Sequence, residues 1–182
     1  MRRALPRWIC AGGAFLAALL FCAPAGAGES LEYAVKGTYL YKFIPFVDWP
    51  ASSYANPASP VTICIYGSDP FGADLARAVR GEKNDGHPVA LQNIQTPDTL
   101  AACQILYIGN DSPVGDVLHA VEGRPVLTVT ETSGGAHGVI NFVLQGPHVR
   151  FDIDEAMAAR SRLTISSKLL GLAHAVIPRS GP

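Results

Sequence analysis

The apolar residues between Tyr33 and Pro50 recur at helical spacing in the stretch YAVKGTYLYKFIPFVDWP. They form two adjacent rows, one of Val35, Tyr39, Phe43 and Phe46 and the other of Leu40, Ile44 and Val47. Two adjacent rows predict a helix with a wide buried face. Because the residue before a proline avoids the helical region, we expect Trp49-Pro50 to end this helix, after a kink at Pro45.

The aromatic residues of this helix are expected to differ in exposure. Tyr39, Phe43 and Phe46 lie in the apolar rows, so we predict that they belong mostly to the core. Tyr41 lies off both rows, and Tyr41 and Trp49 are predicted to be the more exposed rings.

Short β-branched runs alternate with helical signals through the middle of the chain. The predicted strands are 61–67, 89–94, 104–108 and 126–130. Asp69-Pro70 supplies an N-cap and a proline for a helix over about 71–80, and Ser112-Pro113 opens a second helix that ends near residue 122. Such alternation is typical of an α/β fold with a parallel sheet.

The pattern changes in the last third of the chain. Runs 139–144 and 149–153 are joined through Gly146-Pro147 and predict a hairpin, after which Asp154 can cap a helix that includes 156–160. A last helix is predicted over about 164–176. Its shared face would contain Ile165, Leu169, Leu172 and Val176. The predicted fold is a single three-layer α/β domain with a mostly parallel sheet, a C-terminal β-hairpin and a terminal helix.

The first residues have the pattern of a secretory signal peptide. Three arginines precede an apolar run at 8–22, and Ala25-Gly26-Ala27 provides a cleavage site. We expect cleavage after Ala27, which leaves one domain at 28–182 in the periplasm or outside the cell. The apolar run is too short to favour a membrane span. The rest of the chain carries no basic patch, which argues against nucleic acid as a partner.

Two cysteines, Cys64 and Cys103, follow the predicted signal peptide. An even pair in an oxidising compartment suggests one disulfide. The alternative is a pair of buried free thiols.

Catalytic, cofactor and metal motifs are not recognisable in the sequence. It contains no nucleophile elbow, zinc-protease motif, P-loop or dinucleotide-binding fingerprint, and its five histidines are scattered. We therefore expect no catalytic residues, no cofactor and no metal.

Three weaker spots remain as ligand candidates. The stretch GGAHG at 134–138 could hold an anion, but it leads into a strand and suits a mobile loop better. The acids Asp152, Asp154 and Glu155 could bind a cation, although a helix cap explains them more simply. The strongest candidate is the start of the last helix, where an anion site and plain capping are equally good interpretations. Its polar residues are Thr164, Ser166, Ser167 and Lys168.

The order and spacing of several segments resemble the YfiR family of YfiR/HmsC-like periplasmic proteins. The resemblance runs from about Tyr33 to Val176, with Pro45 as a departure near the end of the first helix. The matching segments are YAVKGTYLYKFIPFVDWP, VTICIYGSDPFG, CQILYIG, LTVTE, GVINFVLQGPHVRFDID and LTISSKLLGLAHAV.

The resemblance implies a regulator and not an enzyme. YfiR-like proteins are dimeric periplasmic repressors that bind the periplasmic domain of an inner-membrane diguanylate cyclase and keep it inactive. Stress, or capture by an outer-membrane lipoprotein, relieves the repression, after which cyclic-di-GMP and biofilm formation rise. The cysteine bridge of the family maps onto Cys64 and Cys103.

The partner and its contact surface stay open at this point. The partner could instead be a sensor kinase, with the protein acting as a small-ligand binding module, and a hydrolase with an unfamiliar site is a third hypothesis. We expect the partner to contact the hairpin and the last helix, where Phe151, Ile165 and Lys168 mix apolar and charged character.

Overall fold

The computed structural model describes residues 27–96, 100 and 102–179, and the predicted signal peptide lies outside this range except for its last residue. The helices are α1 (Ala27–Lys42), α2 (Gly72–Ala78), α3 (Val114–Ala120), α4 (Glu155–Arg160) and α5 (Ser167–Leu170). None of the helices in the described ranges is long and apolar enough to span a bilayer.

The ten strands within the described residues form one large sheet and one small one. They are β1 (Val47–Asp48), β2 (Val61–Tyr66), β3 (Lys83–Asn84), β4 (His87–Ile94), β5 (Ile105–Ile108), β6 (Leu127–Thr130), β7 (Ile140–Gln145), β8 (His148–Asp154), β9 (Thr164–Ile165) and β10 (Ala175–Ile177). The large sheet has the order β10-β8-β7-β6-β5-β2-β4-β3, and β1 pairs separately with β9. Only the β7–β8 and β3–β4 pairs of the large sheet are antiparallel. The predicted fold class, α/β with a mostly parallel sheet and a C-terminal hairpin, is confirmed.

Two apolar cores lie on opposite faces of the large sheet, because alternate residues of each central strand point to opposite sides. Ile63 and Ile65 of β2 belong to the larger core, which includes side chains of α1, α2, α4 and α5. Cys64 and Tyr66 belong to the smaller core beneath α3. All six residues of β2 are buried, which explains its continuous apolar run.

The aromatic helix packs on the larger core largely as predicted. Phe43 is fully buried, and Tyr39 and Phe46 are partly buried against the same cluster. Tyr41 and Trp49 were expected to be more exposed, but both are also partly buried there. The Trp49 indole N–H donates to the Gln104 carbonyl at 3.2 Å, which satisfies its polar atom.

The end of the first helix differs from the prediction. The helix stops at Lys42, and Pro45 lies in a separate 3₁₀ turn, Ile44–Phe46. Proline is well suited to the start of such a turn because it needs no hydrogen-bond partner for its nitrogen. The chain then becomes extended, and Val47 pairs with Ile165 of β9. Tertiary pairing, and not Trp49-Pro50, therefore ends the helical region.

The predicted last helix over 164–176 is wrong in extent. Its first two residues form β9, the helix itself is the four-residue α5, and Ala175–Ile177 adds β10 parallel to β8 at the sheet edge. Leu172, assigned to the buried helical face, is 60% exposed. The helical spacing of these apolar residues therefore does not correspond to one buried helix.

Candidate functional site

The predicted disulfide joins Cys64 of β2 to Cys103, with Cα atoms 5.7 Å apart. Because β5 pairs directly with β2, Cys103 just before β5 lies beside Cys64. Both residues are buried in the smaller core. This confirms the predicted pairing and gives the bridge a structural position beneath α3.

The polar groups of the weaker ligand candidates form hydrogen bonds and ion pairs within the protein. In the 134–138 loop, the Gly138 N–H donates to the Thr130 hydroxyl at 2.9 Å. The Asp154 carboxylate accepts from the Met157 N–H at 2.7 Å and so caps α4, as predicted, while Asp152 accepts from or ion-pairs with His174 at 2.9 Å. Among the residues that the structure describes, no group of three potential ligands could hold a metal ion.

The six residues predicted to contact a partner or ligand lie on β8, on β9 and at the start of α5, and they differ in exposure. Phe151 on β8 and Ile165 on β9 are core residues, 3% and 5% exposed. The exposed members of the set are Thr164, Ser167 and Lys168.

The sixth of these residues, Ser166, caps α5. Its hydroxyl accepts from the Leu169 N–H at 3.3 Å. The single helix expected to present an anion site has only four residues here, so plain capping describes Ser166.

A buried ion cluster, not foreseen from the sequence, joins α1 to the carboxyl end of β6. The Lys36 ammonium contacts the carboxylates of Glu32 and Glu131 and lies 4.6 Å from the centre of the Tyr33 ring. The Tyr33 hydroxyl donates to Glu131 at 3.1 Å. Burial raises the pKa of the neighbouring Tyr107, and the charge of Glu131 raises it further. One sequence signal was available, because Lys36 continues the apolar row of Leu40 and Ile44.

A cavity of about 380 Å³ opens beside this cluster. It lies at the carboxyl ends of β5 and β6, the edge at which open α/β sheets usually bind ligands. In addition to the cluster, it is lined by Asn110, Thr132, Ser133 and the β7 residues Phe142, Val143 and Leu144. The cavity offers carboxylates, hydroxyls and an amide on one side and apolar side chains on the other.

A second concave surface, which we name the α1–β8 groove, has a volume of about 280 Å³. Its buried floor consists of Phe43, Phe151 and Leu169, and exposed Lys42 and Arg150 lie at its rim. Its remaining lining residues are Tyr39, Phe46, Gly171 and Leu172. No single segment of the sequence indicates this groove, because three distant segments contribute to it.

The α1–β8 groove continues towards the hairpin through a larger depression of about 660 Å³ that also includes Tyr39. Leu31 of α1 is 68% exposed on one side of it, and Leu144 of β7 is 56% exposed on the other. Glu32 is the one carboxylate among the lining residues of this extension.

Comparison with known proteins identifies the family of the chain. A family model described as YfiR/HmsC-like matches residues 33–174. A comparison with curated proteins found no significant match. The matched range contains the Lys36–Glu131 ion pair, the disulfide and every lining residue of the α1–β8 groove. The chain therefore belongs to the YfiR/HmsC-like family.

Proposed function

We propose that this protein is a periplasmic negative regulator that binds the periplasmic domain of an inner-membrane diguanylate cyclase and inhibits it, which lowers cyclic-di-GMP and biofilm formation. The observation that carries the proposal is the family match over residues 33–174, which is consistent with a periplasmic regulator in cyclic-di-GMP signalling. The homodimer and an outer-membrane lipoprotein that relieves inhibition belong to the same proposal.

Inhibition by binding requires a difference in affinity between two states of the cyclase. A regulator that bound the active and inactive states equally would change neither population. The regulator must therefore offer a surface complementary to one state, and the α1–β8 groove with its extension is a concave surface of suitable composition.

Deletion of the gene tests the proposal directly. We expect cellular cyclic-di-GMP and biofilm mass to rise in the deletion strain and to return when the gene is restored. Inactivation of the catalytic domain of the cyclase that the protein binds should abolish the rise. Unchanged nucleotide levels, together with no binding between the purified protein and the cyclase's periplasmic domain, would contradict the proposal.

The cavity beside Lys36 favours a second candidate, a periplasmic small-ligand binding module that feeds a sensor kinase. Its volume of about 380 Å³ suits a small metabolite, and its polar groups converge on one side. A calorimetric screen of periplasmic metabolites against the wild type and Asn110→Ala would test it. A ligand whose affinity falls in the variant supports the module, and no binding across the screen counts against it.

A further inference from the structure

We propose that the α1–β8 groove binds a short extended segment of the partner that carries apolar side chains and an acidic end. The identity of the partner rests on the proposed function, whereas the chemistry of the segment follows from the groove itself.

The apolar part of the proposal comes from the floor and walls. Phe43, Phe151 and Leu169 form a floor that the rest of the core holds in place. The Tyr39 ring lies 5.8 Å from the Phe43 ring and 5.4 Å from the Phe151 ring, so one wall is fixed by ring packing. Leu172 is exposed at the opposite rim. A preorganised apolar surface of this kind can accept an aliphatic or aromatic side chain at little cost in ordering.

The acidic part of the proposal comes from the charges. Lys42 and Arg150 line the groove, and no carboxylate is among its lining residues. The whole chain has 14 Lys and Arg against 15 Asp and Glu. The charged residues that line the groove are all cations, so the groove is more positive than the chain as a whole.

These two cations are available to a ligand. In the part of the chain that the structure describes, the lysines and arginines in ion pairs are Lys36, Arg77 and Arg179. Lys42 lies 4.8 Å from the Tyr41 ring, a contact that leaves its N–H groups able to donate. A guanidinium and an ammonium beside apolar surface are suited to a carboxylate that an adjacent apolar side chain holds in place.

The larger depression beyond the groove determines how long the bound segment is and at which of its ends the acidic residues lie. Along α1, the rise of about 1.5 Å per residue places Lys42 about 16 Å from Leu31. At about 3.3 Å per residue, an extended segment of about five residues spans that distance. Glu32 lies at the far end and disfavours a second carboxylate there. The acidic residues of the segment should therefore lie at its Lys42 end, with apolar residues between Leu31 and Leu144.

Peptide display on the purified protein tests this chemistry without knowledge of the partner. A library of random eight-residue peptides is selected against the wild type and counter-selected against Lys42→Glu/Arg150→Glu. We expect enriched peptides with Asp or Glu clustered at one end and aliphatic or aromatic residues beyond. Synthetic copies should bind the charge-reversed variant at least about tenfold more weakly and should lose affinity with added salt.

The matched control is Arg80→Glu/Lys83→Glu, which makes the same change of charge at exposed positions near the opposite edge of the sheet. We expect its affinity for the peptides to be within about twofold of that of the wild type, because distant exposed charges are largely screened by salt. If charge reversal at the groove unfolds the protein, Lys42→Gln/Arg150→Gln replaces it, with folding checked by circular dichroism.

Three outcomes overturn the proposal. The first is selected peptides without acidic bias, and the second is equal binding by the groove variant and the wild type. The third is a dimer in which a second copy of the chain fills the groove, which would be shown if Leu172→Ser converted the dimer to monomers. The fate of the proposed function is separate. If the groove binds peptides but cyclic-di-GMP is unchanged in the deletion strain, the groove proposal stands and the proposed regulatory function is rejected. If cyclic-di-GMP rises but the groove binds no such peptides, the regulatory function stands and the groove proposal is rejected.

Discussion

Lys36 on α1 and Glu131 after β6 are 95 residues apart in the sequence and form an ion pair whose side chains are 5% and 6% exposed. The pair fixes the middle of α1 to the carboxyl end of the sheet. Desolvation makes such a pair expensive to form, and removal of Lys36 leaves the buried Glu131 carboxylate without a cation.

Replacement of Lys36 by methionine should therefore destabilise the protein by about 3–5 kcal/mol. Replacement of both members, as Lys36→Met/Glu131→Leu, should cost less than the sum of the single changes, because neither charge then remains alone. Urea unfolding of the three variants measures the coupling. As a control, loss of the exposed Asp74–Arg77 pair through Arg77→Ala should cost no more than about 1 kcal/mol. Additive effects of Lys36 and Glu131 would contradict the structural role of the pair.

The raised pKa of Tyr107 leads us to expect a loss of stability at alkaline pH. Burial, and then the charge of Glu131, raises its pKa in the folded protein above the value of about 10 for an unfolded chain. The stability that its neutral form provides is fully present below pH 10 and is lost as the pH rises above it, by up to about 1.4 kcal/mol per pH unit.

Denaturant unfolding between pH 8 and pH 11 should thus show a shallower decline for Tyr107→Phe than for the wild type. Tyr41→Phe, at a partly buried ring elsewhere on α1, is the comparison and should leave the slope as it is. Identical slopes for the wild type and Tyr107→Phe would show that Tyr107 does not ionise differently in the two states.

The Cys64–Cys103 bridge closes a loop over a sequence separation of 39 and should stabilise the protein by about 4 kcal/mol in the chain-entropy model. We expect Cys64→Ser/Cys103→Ser to lower the melting temperature and to weaken the proposed inhibition of the cyclase. Because both cysteines are buried, dithiothreitol should reduce the native wild type slowly and the urea-unfolded protein rapidly. Unchanged stability and repression in the double variant would reject a redox role.

Gly138 tests the close packing between β6 and β7. A Cβ atom at this position would lie 2.6 Å from the Thr128 carbonyl oxygen, so Gly138→Ala forces the backbone to move. We expect a loss of about 1–3 kcal/mol, as for other overpacked sites. Gly134→Ala in the same loop has open space around it and should be nearly neutral in thermal unfolding. Equal melting temperatures for the two variants would contradict this packing.

The sequence was most informative where local pattern and burial agree. β2 and β5 are buried on both faces, so each appears as a short apolar run between turns. The hairpin was recognisable because Gly146-Pro147 separates two apolar runs. In the structure Gly146 adopts φ 57°, a conformation that glycine accepts easily.

The sequence was least informative where distant segments meet. Ile165 and Val176 have helical spacing with Leu169 and Leu172, yet pairing of β9 with β1 and of β10 with β8 overrides that local preference. The α1–β8 groove is assembled from α1, β8 and the end of α5, and none of these segments alone shows that a cavity exists. Phe151 could be placed on an apolar strand face, but its depth in the core depends on α1.

The pairing of Val47 with Ile165 also constrains the order in which the chain assembles. A chain made from its N-terminus can form β2, β5 and β6 while later residues are still emerging, but β1 has no strand partner until β9 arrives. Contacts of such large sequence separation slow folding, because the intervening chain must be ordered first. The end of α1 and one wall of the α1–β8 groove thus reach their final form among the last steps, so the surface proposed to bind a partner is incomplete until the C-terminal segment has been made.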